Sequence, residues 1–393
     1  MYHFFADNYM WSQAVLRALF TGANAGEVLQ VVEALQGAAA RYDAEAWYVA
    51  WRALGDRLYA RAERQAAAEH TLSARESFLR ASCYLQWAIP FMDHADPRRR
   101  ETHTRSLEAF GRYAALGEPP SERVEVPYEG ASFPAWFVPA ATGGPGPKPA
   151  VFYLPGWDST KEQGIELAQA LAPRGFHTLL CDGPGVGEAV LFRGMVNRHD
   201  YEAPGRAAFD YLTGRPDVDA GRIVVVGASL GGYRAGRVAA FEQRLAGAVA
   251  WGAVWDWRKV WAVRRANAHG PVPTPQAHAL FVMGAKDFDE VTAKMEDWHL
   301  DEVAHQIRCP LLILHGHDDA QVPVADAHQL YAAAGAAMKE LKVFTAEEGG
   351  AAHCQNDNRQ LAHDYIGDWL VDVLLRGMAR QGVVEGEARA AAV

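Results

Sequence analysis

The chain has 393 residues, of which 50% are hydrophobic and 22% are charged, and its formal net charge is −10. This composition is that of a globular protein with room for one large α/β domain and a second unit of about 100 residues. The acidic balance argues against a nucleic-acid partner, which would need a basic surface, and we attribute the charge to solubility.

The N-terminal segment does not have the pattern of a secretory signal. Residues 1–8 contain no lysine or arginine and include Asp7. No apolar run approaches the ~18 residues of a membrane span. The cysteines are far apart and form no C-x-x-C pair, which indicates neither a zinc site nor a disulfide framework: Cys83, Cys181, Cys309 and Cys354. We therefore expect a cytoplasmic protein with no metal and no membrane association.

Residues 1–118 are predicted to form an all-helical domain. Apolar residues recur there at spacings of three and four, for example Val28, Val31, Val32, Leu35, then Trp47, Trp51, Leu54 and Leu58. The aromatic stripe is more typical of a helix–helix core than of a ligand site. Gly117-Glu118-Pro119-Pro120 marks the end of this domain.

Beyond residue 119 the periodicity changes. Residues 123–128 and 134–138 alternate with a period of two, which predicts an opening antiparallel pair. Short apolar runs then alternate with helical stretches, near residues 150, 178, 223, 248, 311 and 342. This pattern predicts an α/β domain over 119–379 with a doubly wound, mostly parallel sheet, followed by a flexible tail at 380–393.

The most distinctive motif is Gly227-Ala228-Ser229-Leu230-Gly231, which follows the apolar run at 223–226 and precedes a helix-like stretch. A strand, a G-x-S-x-G turn and a helix are the context of a nucleophile elbow, in which the serine hydroxyl projects above the sheet. Glycines are needed two residues either side because strand and helix pass too close there for a Cβ. Ser229 is therefore the candidate nucleophile.

The segment formed by residues 255–307 is too long to be a simple crossover between two strands. The segment reads as helical and carries Trp255, Trp257, Trp261 and Trp298. An insertion after the sixth strand of such a sheet overhangs the serine, so we expect it to shape a substrate pocket.

Two later loops supply the other groups of a catalytic triad. A carboxylate near Asp319 follows the apolar run at 311–314, and His353 follows the run at 341–344. The order Ser…Asp…His is that of α/β-hydrolases, not that of chymotrypsin or subtilisin. Such a triad needs no metal or organic cofactor. We expect activity to rise with pH through the ionisation of His353 near ~6.5–7.

Two further segments carry a family resemblance. Residues 154–162 (LPGWDSTKE) resemble a G-G-x-D-S-x-K-E loop, and residues 181–188 (CDGPGVGE) resemble a D-G-P-G-x-G-E turn. With the triad and the helical N-terminal region, the chain resembles a branch of the α/β-hydrolases. That branch contains 2,6-dihydroxypseudooxynicotine hydrolase, fungal polyketide-shortening hydrolases and fermentation–respiration switch-like proteins. Pro155 departs from the pattern, since the branch often has a second glycine there.

The resemblance implies roles for individual residues. Within the pattern H-G-x-x-D-x-x-V-P, Asp319 and not Asp318 occupies the position of the triad acid. The oxyanion hole would consist of the backbone N–H groups of Leu230 and Trp157. The resemblance also implies that the helical domain roofs the pocket and contributes to a homodimer.

The resemblance further implies hydrolysis of a carbon–carbon bond in a small-molecule substrate, an aromatic or polyketide-like ketone. The departing carbon would need a proton, and Asp256 is the candidate auxiliary acid. A carboxylesterase, lactonase or thioesterase is the alternative, since the same triad cleaves those bonds. An acylaminoacyl peptidase would carry β-propeller repeats, which do not appear. A non-catalytic binding protein of this fold would need a degraded triad, whereas every part is present.

Overall fold

The structure, a computed structural model, describes residues 2–266, 276–377 and 384–385. These residues separate into two compact units. The helical unit contains residues 2–123 and 276–281. The sheet unit contains residues 124–266, 282–377 and 384–385.

The helical unit confirms the predicted all-helical N-terminal region. Its helices are α1 (Tyr9–Phe20), α2 (Ala25–Ala39), α3 (Ala44–Ala67), α4 (Thr71–Ala88) and α5 (Pro97–Ala115). Four of them begin after a side chain that accepts hydrogen bonds from first-turn N–H groups: Asn8, Asn24, Asp43 and Asp96. The predicted aromatic stripe lies in the core, where the rings of Trp47 and Trp11 are 4.7 Å apart.

One segment of the predicted insertion groups with the helical unit. Helix α11 spans Gln276–Met283, and its residues 276–281 belong to that unit. The Phe281 ring stacks on His94 with 4.2 Å between centroids. The sequence did not indicate this pairing, because it joins positions almost 190 residues apart.

The sheet unit has the predicted doubly wound, mostly parallel architecture. Its strands are β1 (Glu122–Tyr128), β2 (Ala131–Val138), β3 (Lys148–Leu154), β4 (His177–Cys181), β5 (Val218–Ala228), β6 (Gly247–Trp251), β7 (Leu311–Gly316), β8 (Lys339–Phe344) and β9 (Val384–Glu385). They are ordered β1-β2-β4-β3-β5-β6-β7-β8-β9. Strand β2 runs antiparallel to β4, and the pairs from β4 to β9 are parallel. The central strands are buried on both faces, which explains their continuous apolar runs.

Helices connect and cover these strands. They are α6 (Ile165–Leu171), α7 (Gly187–Arg193), α8 (Glu202–Thr213), α9 (Leu230–Phe241), α10 (Trp257–Ala266), α12 (Phe288–Lys294), α13 (Val324–Ala333) and α14 (Arg359–Leu370). Within the predicted insertion at 255–307, residues 267–275 lie outside the described residues. Of the predicted flexible tail at 380–393, only 384–385 are described, and they form β9 alongside β8.

Within the described residues, no helix is long and apolar enough to cross a bilayer.

Candidate active site

Ser229 lies on a strained turn between β5 and α9. Its backbone has φ 60° and ψ −122°, which is unusual for a residue with a side chain, and its N–H donates to the Trp251 carbonyl at 2.7 Å. A Cβ on Gly227 would overlap the carbonyl oxygen of Gly231, and a Cβ on Gly231 would overlap that of Leu154. The glycines of the motif are therefore required by the close approach of backbone segments around the serine.

The structure brings Ser229, His353 and Asp319 into one hydrogen-bonded chain. His353 Nε2 lies 2.8 Å from Ser229 Oγ, and His353 Nδ1 lies 2.6 Å from Asp319 Oδ2. The other oxygen of Asp319 accepts hydrogen bonds from the N–H groups of Gln321 (2.8 Å) and Val322 (2.9 Å). The carboxylate is thus fixed by its own loop and is aimed at the imidazole.

The adjacent Asp318 takes no part in this chain. Its carboxylate is exposed and pairs with the exposed imidazole of His317 at 2.8 Å. The choice between the two aspartates in the H-G-x-x-D pattern therefore has a clear geometric answer, since the structure places only Asp319 against His353.

The charge on Asp319 controls the protonation of His353. Burial disfavours the imidazolium, but the Asp319 carboxylate outweighs burial and raises the pKa of His353 to about 10. Burial likewise opposes ionisation of Asp319, yet His353 and His315 hold the pKa of this carboxyl below its usual range. The Asp319 carboxylate therefore stabilises the imidazolium that forms when neutral His353 accepts a proton.

His315 is a second histidine beside the triad that the sequence reasoning did not single out. Its Nε2 lies 3.0 Å from the Val322 carbonyl oxygen and 3.4 Å from Asp319 Oδ2. Burial lowers the pKa of His315, so the ring is neutral and Nε2 donates to these oxygens. It lies against the same carboxylate oxygen of Asp319 that faces His353. His315 is the first residue of the H-G-x-x-D pattern, which was the sequence signal that could have identified it.

Two backbone segments near Ser229 fit the expected oxyanion hole. Leu230 is the first residue of α9, where N–H groups have no acceptor within the helix and the helix dipole is positive. The loop after β3 passes beside the elbow, because a Cβ on Gly156 would lie 3.1 Å from Ser229 Cβ. Trp157 follows in that loop, and its buried ring packs 5.5 Å from that of Trp257.

A buried ionic cluster includes residues from the end of this loop. The Lys161 ammonium is fully buried and contacts the carboxylates of Glu162 (2.7 Å), Asp182 (3.0 Å) and Glu188. Asp182 also accepts the backbone N–H groups of Lys161 (2.7 Å) and Glu188 (2.9 Å). Burial raises the pKa of Asp182 to about 6, against the pull of Lys161. The two motifs at 154–162 and 181–188 are thus tied together, in keeping with a structural role.

Asp256 does not have the environment expected of an auxiliary acid. Its carboxylate is paired with the Arg258 guanidinium through two contacts of 3.0 Å and with the Lys259 ammonium at 3.3 Å. Although burial opposes ionisation, these cations lower the pKa of Asp256 below its ordinary value. A carboxyl in this state holds no proton near neutral pH. The pairing with Arg258 and Lys259 does not favour Asp256 as the donor of a proton to a departing carbon, and that role stays a prediction.

The turn that carries His353 is also held in an unusual conformation. Cys354 and Gln355 have φ values of 48° and 49°, and the Gln355 amide oxygen accepts a hydrogen bond from Trp251 Nε1 at 2.7 Å. The Cys354 thiol lies 3.7 Å from His353 Nε2. The sequence shows that Cys354 is adjacent to His353, but it does not show this contact with the imidazole. In the ranges that the structure describes, no group of three or more His, Cys, Asp or Glu side chains could hold a metal ion.

Comparison with known proteins places these features in a family. The model of the prolyl oligopeptidase family matches residues 167–376. The 2,6-dihydropseudooxynicotine hydrolase of Paenarthrobacter nicotinovorans is 32% identical to this chain over 84% of its length and 85% of the relative. The 20-hydroxy-prefusarin hydrolase of Gibberella moniliformis is 27% identical over 89% of this chain and 92% of the relative.

A solved structure extends the likeness across both units. The crystal structure of the 2,6-dihydroxy-pseudo-oxynicotine hydrolase matches with a TM-score of 0.82 and 29% identity, and covers 95% of this chain and 99% of that one. The relatives are named as hydrolases, and the fold matches theirs. The chain therefore belongs to the prolyl oligopeptidase family and is an α/β-hydrolase enzyme.

Proposed function

We propose that this hydrolase works by covalent serine catalysis with Ser229, His353 and Asp319 as its triad. The observation that carries the proposal is the hydrogen-bonded chain from Ser229 Oγ through His353 to Asp319, with distances of 2.8 and 2.6 Å, on a strained elbow. A nucleophile within reach of a base, and a base oriented by a buried acid, is the arrangement that activates a serine.

The first half of the reaction forms an acyl-enzyme. His353 Nε2 accepts the proton of Ser229 while the oxygen attacks the substrate carbonyl carbon. The Leu230 and Trp157 N–H groups donate to the oxygen as it becomes negative, and one such donor contributes about 3 kcal/mol. When the tetrahedral intermediate collapses, the bond to the leaving group breaks and the His353 imidazolium gives its proton to that group. Water, deprotonated by His353, then releases the acid.

We propose further that the bond cleaved is a carbon–carbon bond of an aromatic or polyketide-like ketone. The two relatives above are named for activity on 2,6-dihydropseudooxynicotine and on 20-hydroxy-prefusarin, which supports a small organic substrate over a peptide. The buried indoles of Trp157 and Trp257 beside the elbow favour a flat, apolar substrate group. A carbanion leaving group is a strong base, so the His353 imidazolium suffices as its proton donor.

Cleavage of an ester, lactone or thioester is a second candidate with an observation in its favour. The carboxylate of Asp256 is held ionised by Arg258 and Lys259, so Asp256 does not add a second acid to the His353 imidazolium. An alkoxide or thiolate leaving group needs only the triad and the oxyanion hole.

The first test asks whether Ser229 is the nucleophile. A fluorophosphonate probe should label the wild-type enzyme but not Ser229→Ala. The control is Ser132→Ala, which should be labelled like the wild type, because Ser132 is a half-buried serine on β2 that donates to Glu125. The turnover of Ser229→Ala should fall to the background of an enzyme that retains only its oxyanion hole. Substantial turnover above that background in folded Ser229→Ala would remove this serine from the mechanism.

The second test asks which bond is broken. The values of kcat/KM should be measured on a panel of β-diketones and acyl-phenols and on a panel of p-nitrophenyl esters. A carbon–carbon hydrolase should turn over the ketones efficiently and p-nitrophenyl acetate poorly. High efficiency on simple esters with no ketone cleavage would favour the esterase instead.

A further inference from the structure

A fully buried arginine lies on the helix that begins at the candidate nucleophile. Arg234 is in α9, five residues after Ser229, and its side chain is 0% exposed. Its Nη1 donates to the Pro155 carbonyl oxygen at 2.6 Å, and its Nη2 donates to Asn197 Oδ1 at 3.0 Å. The guanidinium carbon lies 4.4 Å from the centroid of the Tyr201 ring.

This arginine is unusual because nothing in its surroundings neutralises it. Among the described residues, no carboxylate lies within salt-bridge distance of Arg234, and its Nε has no acceptor. Burial lowers the pKa of the guanidinium accordingly. A buried, unpaired cation costs stability, and an apolar side chain would suit such a core position better. An arginine here therefore points to a role in the site rather than in the stability of the fold.

What Arg234 holds is the loop that carries the expected second oxyanion donor. Pro155 follows the last residue of β3, and Gly156 and Trp157 come next. The Pro155 carbonyl oxygen would lie 2.9 Å from a Cβ on Gly231, so it sits against the first turn of α9. The carbonyl of Pro155 and the N–H of Gly156 share one planar peptide group. Fixing that carbonyl therefore fixes the direction in which the chain enters Gly156 and Trp157.

The other end of the guanidinium is fixed as well. Asn197, which accepts from Nη2, donates its backbone N–H to the Val282 carbonyl at 2.7 Å. Its Cβ would lie only 2.5 Å from a Cβ on Gly185, so the side chain is packed tightly against the 181–188 turn. Arg234 therefore bridges two rigid segments. A planar fork with two donor ends is suited to this task, whereas a lysine ammonium cannot hold both acceptors in the same geometry.

We propose that Arg234 is a positioning residue that sets the Trp157 N–H relative to the Ser229 hydroxyl by holding the Pro155 carbonyl. This inference rests on the proposed function. Ser229, the Leu230 N–H and Arg234 all lie at the start of α9. This helix therefore sets the positions of the nucleophile and of both oxyanion donors. The substrate does not contact Arg234, and its effect should appear only when an oxyanion forms.

The test compares Arg234→Lys and Arg234→Met with Arg237→Met. Arg237 lies on the same helix, is mostly buried and pairs with Glu202 at 2.7 Å, so it controls for the loss of an arginine from α9. For each variant, kcat and KM are measured with a turned-over substrate. The inhibition constant Ki is measured with an acyl trifluoromethyl ketone, whose hemiketal oxyanion would occupy the hole.

Removal of an oxyanion donor typically lowers kcat by about 10²–10³-fold. We therefore expect about a 10²-fold loss in kcat for Arg234→Met and about a 10-fold loss for Arg234→Lys, with little change in KM. The Ki of the trifluoromethyl ketone should rise by the same factors. Arg237→Met should stay within about twofold of wild type in both quantities.

Two results would overturn the inference. In one, folded Arg234→Lys and Arg234→Met retain wild-type kcat and Ki. In the other, only KM rises, which would mean that Arg234 serves ground-state binding. If Arg234→Met does not fold, Arg234→Lys decides, because it keeps the charge and most of the volume. Failure of the proposed function is distinguishable, since Ser229→Ala would then be as active as wild type and the trifluoromethyl ketone would not inhibit any variant.

Discussion

Asp319→Asn should separate the orienting role of this carboxylate from its contribution to the fold. The amide can keep the hydrogen bonds from the Gln321 and Val322 N–H groups through its oxygen. Its nitrogen then faces His353 Nδ1, which must act as the acceptor. The imidazole proton is forced onto Nε2, so the ring can no longer take the proton of Ser229. The same change in a serine protease triad costs about 10⁴ in kcat, or about 5 kcal/mol of transition-state stabilisation.

The variant should also shift the pH dependence of the reaction. In the wild type, Asp319 raises the pKa of His353 to about 10, and the neutral imidazole is the form that accepts the serine proton. The value of kcat/KM should therefore rise with pH well above the ~6.5–7 of an unperturbed histidine. Without this negative charge, the burial of the ring is no longer outweighed by Asp319, and the pKa of His353 falls. The residual activity of Asp319→Asn should consequently reach its plateau at a lower pH than wild type.

Asp318→Asn is the matched control for both measurements. Its carboxylate is exposed, and its recorded partner among the described residues is the exposed His317, so kcat and the pH profile should stay within about twofold of wild type. Initial rates from pH 5 to 11 on one substrate, with urea unfolding of each variant, make the comparison. Equal losses in the two variants, or a larger loss in Asp318→Asn, would show that the acid has been misassigned.

Three further changes test the surroundings of the site. Lys161→Met should lower the free energy of unfolding, measured in urea, by about 3–5 kcal/mol, because it leaves buried carboxylates without a cation. A loss below about 1 kcal/mol would contradict this account of the cluster. Gly231→Ala should lower the free energy of unfolding by at least ~1–3 kcal/mol and should lower kcat, because its Cβ would overlap the Leu154 carbonyl oxygen. Unchanged stability and kcat would show that the backbone segments at the elbow can move apart. Asp256→Asn should affect ketone and ester cleavage by the same factor, because this carboxylate is ionised and paired with Arg258; a loss confined to ketones would restore its role as an acid.

Much of the fold was predictable because the sheet is buried on both faces. Residues 223–226, for example, are all buried and all apolar. A strand of this kind can be located from the apolar run itself and from the turn residues on either side. The helical stretch between β3 and β4 is less regular than the predicted alternation of strands and helices implies. It begins as a 3₁₀ turn at Lys161–Gly164, where a Cβ on Gly164 would lie 2.6 Å from the Tyr153 ring. That close approach depends on the neighbouring strand and leaves no trace in local periodicity.

The candidate site divides in the same way. Ser229, Asp319 and His353 could be proposed from the sequence because each lies in a loop or turn that follows a predicted strand. The cations that pair with Asp256 could not be predicted, because position in the sequence does not reveal which charged side chains surround a carboxylate. Arg234 was overlooked because an arginine in a helical stretch looks like any solvated residue. Its burial depends on Pro155 and on Asn197, which lie 79 and 37 residues away along the chain.

The parallel sheet explains why groups from distant segments converge. Trp157, Ser229, Asp319 and His353 follow β3, β5, β7 and β8, whose carboxyl ends lie at one edge. Strands β6 and β7 separate the elbow from β8, so the imidazole must cross the end of β6. Gly252 lies there with φ 66°, and a Cβ on it would come within 2.5 Å of the Cys354 thiol and 3.5 Å of His353 Cε1. The turn after β6 thus leaves the space through which the base reaches the nucleophile, and the triad depends on a residue that contributes no side chain.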